Sequence, residues 1–220
     1  RIAPRRFAVD WERSLPRAVP PTSALFNLFE ELPRIATLDM NGDRLQDLAT
    51  ICGDVLTTYI QEPGMAFPAK STQVCRLLTL TEENKLDTVN VSDVQFCDIN
   101  KDGNVDIVVT RIQGELGLLK SIQTKIYTHL GGGRGDFAPP DGSINIDGIS
   151  LNPQLIDMNG DGLLDCLTSR LRTDVVAQGI NAKIFGDVTI TYEVFQFDGD
   201  RNRYSDSAVY TRDVRVRVDD

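Results

Sequence analysis

The stretch Asp157-Met158-Asn159-Gly160-Asp161-Gly162-Leu163-Leu164-Asp165 decides the fold. Counted from its first residue, oxygen-bearing side chains stand at positions 1, 3, 5 and 9 and Gly at position 6, and the apolar Cys166-Leu167 follows. The pattern recurs at Asp98-Ile99-Asn100-Lys101-Asp102-Gly103-Asn104-Val105-Asp106, ahead of Ile107-Val108-Val109. It recurs again at Asp39-Met40-Asn41-Gly42-Asp43-Arg44-Leu45-Gln46-Asp47, ahead of Leu48-Ala49-Thr50. The starts lie 59 residues apart both times. A fixed period of this size marks a repeat architecture.

Outward from each loop the pattern is β. Short apolar steps precede the loops (Ile35-Ala36-Thr37-Leu38, Val94-Gln95-Phe96-Cys97, Gln154-Leu155-Ile156), and runs of strand length follow them. Later come segments around Tyr59, Tyr127 and Tyr192, each leading to a Gly- or Asp-rich turn and a lone aromatic (Phe67, Phe137, Tyr204). Strand, turn and strand make a hairpin. Each repeat therefore reads as about four strands. The spacing from loop to aromatic segment varies (20, 29 and 35 residues), so the order of features is firmer than the period. Asp213-Val214-Arg215-Val216-Arg217-Val218 alternates as a half-exposed strand does.

Hard oxygen ligands without His or Cys select Ca²⁺ over zinc or copper. Side chains at positions 1, 3 and 5 can converge on one point, with the position-7 carbonyl and the position-9 acid closing the shell. The expected ligands are Asp39, Asn41, Asp43, Leu45 and Asp47 in the first loop. In the second they are Asp98, Asn100, Asp102, Asn104 and Asp106, and in the third Asp157, Asn159, Asp161, Leu163 and Asp165. Up to three Ca²⁺ would then stabilise the fold by neutralising crowded carboxylates. The competing reading is a metal-free set of Asx turns at strand ends. An EF-hand fails, because position 12 is Thr50, Val109 and Thr168 where that loop needs an acid, and the flanks are β.

These three loops with their hairpins resemble FG-GAP/VCBS-type repeats over about residues 34–206. The resemblance implies calcium-binding blades of an integrin α-chain-like β-propeller, in an all-β chain with about three blades in view. It also implies repeats at about 34–92, 93–151 and 152–220. In the first loop Arg44 stands where the pattern has Gly, a departure expected to weaken the site or alter its turn, because φ > 0 disfavours a β-carbon. Three blades are fewer than the usual four to eight, so the resemblance implies further blades from the same protein or a partner chain.

Residues 1–33 differ from the rest. They are Arg-rich at the start, carry Pro16, Pro20 and Pro21, and hold a run at Ala24–Leu32 that reads as a short helix. The segment is expected to be the trailing half of a preceding blade. The chain opens on Arg1 rather than Met, which suggests a processed or excised piece. A formal charge of −9 argues against nucleic acid, and the absence of an apolar run long enough to span a bilayer argues against a membrane segment.

Four cysteines (Cys52, Cys75, Cys97, Cys166) show no zinc spacing; Cys52 with Cys75 is the first disulfide to test. His129 is the only histidine and has no nucleophile motif beside it, and no catalytic signature is present, so a non-enzyme is expected. Arg134-Gly135-Asp136 offers an adhesion reading, although it occupies the turn the repeat requires. The leading expectation is a calcium-rigidified binding or scaffold module at the cell surface, outside the cell or in the periplasm, with a protein or carbohydrate ligand. The alternative places the chain in a secreted enzyme or toxin whose chemistry lies elsewhere.

Overall fold

Alternating apolar residues, β-branched side chains and Gly turns give antiparallel β-sheets throughout the described residues. The computed structural model describes residues 33–64, 66–77, 91–113, 122–140, 142–150, 152–171 and 186–218. The segment expected over residues 1–33, with its short helix, lies outside these apart from Pro33.

Sheet 1 is a four-stranded meander of β1 (Arg34–Leu38), β2 (Asp47–Cys52), β3 (Val55–Tyr59) and β4 (Gln73–Arg76). Sheet 2 repeats it with β5 (Val91–Cys97), β6 (Asp106–Gln113), β7 (Gln123–His129) and β8 (Ser143–Asp147). The two-residue strand β9 (Ile149–Ser150) then crosses to sheet 3, where it pairs with β11. Sheet 3 runs β10 (Gln154–Ile156), β11 (Asp165–Leu171), β12 (Gly186–Phe195) and, after an excursion, β15 (Tyr210–Val218). The excursion is a hairpin of β13 (Phe197–Asp198) and β14 (Arg203–Tyr204). Each Asp-rich loop joins the first two strands of its sheet.

The register shows how the sheets stack. In every sheet one face, here the forward face, carries the residue two after the ninth-position aspartate: Ala49, Val108 and Leu167. The rear face carries the residue one after it: Leu48, Ile107 and Cys166. One core packs forward residues of sheet 1 (Ala49, Ile51, Leu56) against rear residues of sheet 2 (Ile107, Val109), with Phe96 and Tyr127 beside them. A second packs forward residues of sheet 2 (Val108, Ile126, Ile144, Ile146) against rear residues of sheet 3 (Cys166, Phe195). Sheet 2 is thus covered on both faces, and β6 is buried at seven successive residues.

The expectation of a β-propeller is corrected here. Among the described residues the sheets are open, none closes into a barrel, and the stack does not close into a propeller. Among the described residues no other sheet packs on the rear face of sheet 1 or the forward face of sheet 3; Ile35, Val74, Tyr210 and Val216 are exposed there, while Val194 on the latter face is buried. Closure needs those two faces to meet, and they do not. The integrin-like architecture falls with it.

Candidate functional site

The three Asp-rich loops share one geometry, built from their own hydrogen bonds. At position 1, Asp39 accepts the N–H groups of Gly42 (2.7 Å), Asp43 (3.2 Å) and Arg44 (2.7 Å), and Asp157 accepts those of Gly160 (2.7 Å) and Gly162 (2.9 Å). At position 3, Asn41, Asn100 and Asn159 accept the N–H of the residue two ahead and donate their amide N–H to its carboxylate at 2.7–3.0 Å. At position 5, Asp43, Asp102 and Asp161 each accept the N–H of position 7 (Leu45, Asn104, Leu163) at 2.8 Å. This is a nest of Asx turns.

The wrapping needs left-handed backbone at two places. Position 6 has φ of 69° at Arg44, 85° at Gly103 and 95° at Gly162. Arg44 therefore adopts the glycine conformation without altering the turn, and its N–H still reaches Asp39. Position 4 is also left-handed, at Gly42 (76°), Lys101 (56°) and Gly160 (82°). In the second loop, where Lys101 replaces Gly, Asp98 accepts only from Gly103 at 3.1 Å, and its Oδ1 is buried without a donor.

The ninth-position acids do something else. Asp47, Asp106 and Asp165 are buried, and both oxygens of each accept backbone N–H groups. One donor is position 2 of the same loop: Met40 (2.7 Å), Ile99 (2.8 Å) and Met158 (3.1 Å). The other follows the third strand of the sheet: Gln61 (2.8 Å), Gly131 (2.8 Å) and Phe197 (3.0 Å). Each carboxylate is a staple between the loop and the hairpin. Burial pushes the Asp106 carboxyl up, against the two N–H donors that lower it, and the nearby Asp102 and Asp98 push it further. Asp161, on the open rim, is lowered by the Leu163 N–H and the Asn159 amide, with Lys101 adding to the same effect.

The calcium expectation is overturned by this arrangement. Among the described residues no three His, Cys, Asp or Glu side chains converge where they could hold a metal ion. The ninth acid, needed to close the shell, turns inward to backbone N–H groups, and the Asn at position 3 points an amide N–H at the carboxylate of position 5. Two carboxylates per loop remain, short of the ~6–8 oxygens calcium takes.

The other candidate groups are structural in this geometry. Buried His129 faces the carbonyls of Leu77 (2.7 Å) and Ala138 (3.0 Å), joining sheet 1 to sheet 2. No disulfide joins any of the four cysteines. Cys52 pairs with Val55 on the rear face of sheet 1, whereas Cys75 pairs with Leu56 on the forward face, so the expected Cys52–Cys75 disulfide is excluded by direction. Burial pushes the Cys97 and Cys166 thiols up to about 12, which removes them as nucleophiles. In Arg134-Gly135-Asp136, the Asp136 carboxylate folds back to accept the Arg134 N–H (3.1 Å), and buried Gly135 accepts the Thr58 hydroxyl (3.0 Å).

Sequence reading missed a cleft. It lies between sheet 2 and the β13–β14 hairpin, holds about 330 Å³, and is lined by Thr128, Ser143, Arg201, Arg203, Tyr204 and Asp206 among others. A wider cleft of about 620 Å³ shares Arg201, Arg203 and Tyr204. Arg201 lies 3.6 Å from Asp198, and Arg203 lies 3.7 Å from Asp206. Tyr204 is a buried member of the lining: its hydroxyl donates to the Leu164 carbonyl (3.0 Å) and its ring meets Phe197 edge-on at 5.1 Å. No local motif marks this cleft, because its walls come from segments some 60 residues apart in the chain.

A family model described as an FG-GAP-like repeat matches residues 98–168, from the first aspartate of the second loop to Thr168 in β11. No curated protein and no solved structure matches the chain. Over that part, the chain is similar to a single FG-GAP-like repeat.

Proposed function

We propose that this chain is a non-catalytic binding or scaffold module of a secreted or cell-surface protein, taking a protein or carbohydrate ligand in the cleft beside the β13–β14 hairpin. One observation carries the reading. The buried ninth-position acids Asp47, Asp106 and Asp165 are committed to backbone hydrogen bonds, whereas the cleft offers Arg201 and Arg203 beside acids and hydroxyls. Such paired polar groups suit the hydroxyls of a sugar or the amides of a peptide. The folded-back Asp136 gives adhesion through Arg134-Gly135-Asp136 no comparable support.

The test is a binding screen of the whole chain against oligosaccharides and peptides by calorimetry, with Arg203→Ala as the control variant. A ligand that binds the parent and loses at least tenfold in affinity to the variant, at unchanged melting temperature, supports the reading. Turnover of that ligand in the same mixture would sink the non-catalytic half. Equal affinity of parent and variant would sink the cleft.

A further inference from the structure

Among the described residues, the two end faces of the stack on which no other sheet packs are the two kinds that already meet inside it. Twice the forward face of one sheet packs on the rear face of the next, first between sheets 1 and 2 and then between sheets 2 and 3. The faces left over are the rear of sheet 1 and the forward of sheet 3. Loop position 2 records what the forward face of sheet 3 lacks. Met40 and Ile99 are 2% and 0% exposed, sealed in the cores shared with the following sheet, but Met158 is 52% exposed.

Its surroundings agree. On the same forward face Tyr210, paired with Val194, is 54% exposed, and Val216 is exposed as well. On the rear face of sheet 1 one cross-strand row runs Ile35, Thr50, Thr57, Val74, with Ile35 69% and Val74 60% exposed. A polar contact is repeated in outline too. Gln95, opposite Val108 on the forward face of sheet 2, donates to the Pro153 carbonyl at the entrance to sheet 3 (3.0 Å). Gln154, opposite Leu167, holds the same place on sheet 3 and is exposed. Exposed large apolar side chains gathered on one sheet face mark an interaction site.

We infer that the forward face of sheet 3 docks on the rear face of sheet 1 in a second copy of this chain, head to tail. The contact continues the packing between neighbouring sheets within one copy, with Met158 and Tyr210 of one copy covering the Ile35–Val74 row of the other. It joins two different surfaces and is therefore heterologous, so each copy offers one of each. The inference rests on packing alone and does not depend on the cleft or its ligand.

Two exposed substitutions test it. Ile35→Asp blocks the rear face and Met158→Lys blocks the forward face, each with the other face intact. Sedimentation velocity of the parent chain should show reversible association rising with concentration. Each variant alone should remain a monomer, with association weakened at least tenfold. An equal mixture of the two should form dimers and stop there, because only one complementary pair of faces survives. Unchanged melting temperatures would show that both variants fold; where Ile35→Asp does not, Val74→Lys on the same row replaces it. A parent that stays monomeric at every concentration overturns the inference. So does a variant that associates alone as the parent does, or a mixture that remains monomeric.

Discussion

β2 and β6 hold the same place in successive repeats, each running out of an Asp-rich loop, yet they are buried differently. β6 is buried at seven successive residues, Asp106 to Ile112, whereas β2 alternates between buried and half-buried. The difference lies in the neighbours. Sheet 2 is packed between two sheets, so Ile107 faces one core and Val108 the other. Among the described residues sheet 1 has a neighbouring sheet on its forward side alone, so Ala49 and Ile51 are in a core while Leu48 and Thr50 are not. An unbroken apolar run is the signature of two-sided burial, and alternation that of one-sided burial.

The sharpest way to break that comparison is to truncate equivalent residues in the two strands. Ile107 is fully buried, and Ile107→Ala should lower unfolding stability by about 2–5 kcal/mol, through lost apolar burial and the cavity left behind. Leu48→Ala, one repeat earlier, should cost less, about 1 kcal/mol, because Leu48 is only half-buried and gives up less apolar burial. Urea unfolding at a concentration where the chain is monomeric measures both. Equal losses would mean that the rear face of sheet 1 is covered after all.

A second contrast lies within one loop, between the buried staple Asp106 and the rim residue Asp102. Asp106→Asn leaves a single acceptor oxygen for two buried N–H donors, those of Ile99 and Gly131. The expected loss is about 1–3 kcal/mol, the cost of an unsatisfied buried donor. Asp102→Asn keeps an oxygen for the Asn104 N–H and should stay within about 0.5 kcal/mol of the parent. The pH dependence has a definite sign. Burial raises the Asp106 carboxyl in the folded state, so its titration contributes stability below the unfolded carboxyl value and loses it as pH rises through the folded one. The gap between parent and Asp106→Asn should therefore widen as pH falls from neutral into the carboxylate range. A gap that narrows would mean that the hydrogen bonds outweigh burial at this site.

How much of this was legible depends on how far apart the partners lie. The loops could be read because positions 1, 3 and 5 hydrogen-bond within nine residues, and the strands because Val, Ile and Thr alternate beside them. The staples could not be read, since Asp47, Asp106 and Asp165 find their second donors 14, 25 and 32 residues on. That variable spacing hides any periodic signal, and it left the ninth acid looking like a ligand. Propeller closure is not legible for a related reason. A local pattern specifies a sheet, but whether a stack closes depends on its two end faces, which no single repeat contains. The cysteines show the same limit: Cys52 and Cys75 lie close in sequence, and the pleat sends them to opposite faces.

The smallest expected effect compares the loops at their left-handed positions. Arg44 (position 6) and Lys101 (position 4) adopt φ of 69° and 56° where other loops use Gly. A β-carbon in that region costs about 1–2 kcal/mol, and glycine returns part of the gain through its greater freedom in the unfolded chain. Arg44→Gly should therefore stabilise by about 0.5–1 kcal/mol. Lys101→Gly should gain less, because Lys101 reaches the third loop. A β-carbon placed on Gly162 would lie 2.9 Å from its ammonium nitrogen, and its charge lowers the Asp161 carboxyl. Thermal melts of both variants at low salt separate these contributions. If the substitutions stabilise equally, Lys101 does nothing for its neighbour; if Lys101→Gly destabilises, the second and third loops are coupled through that side chain more strongly than either is strained by its own backbone.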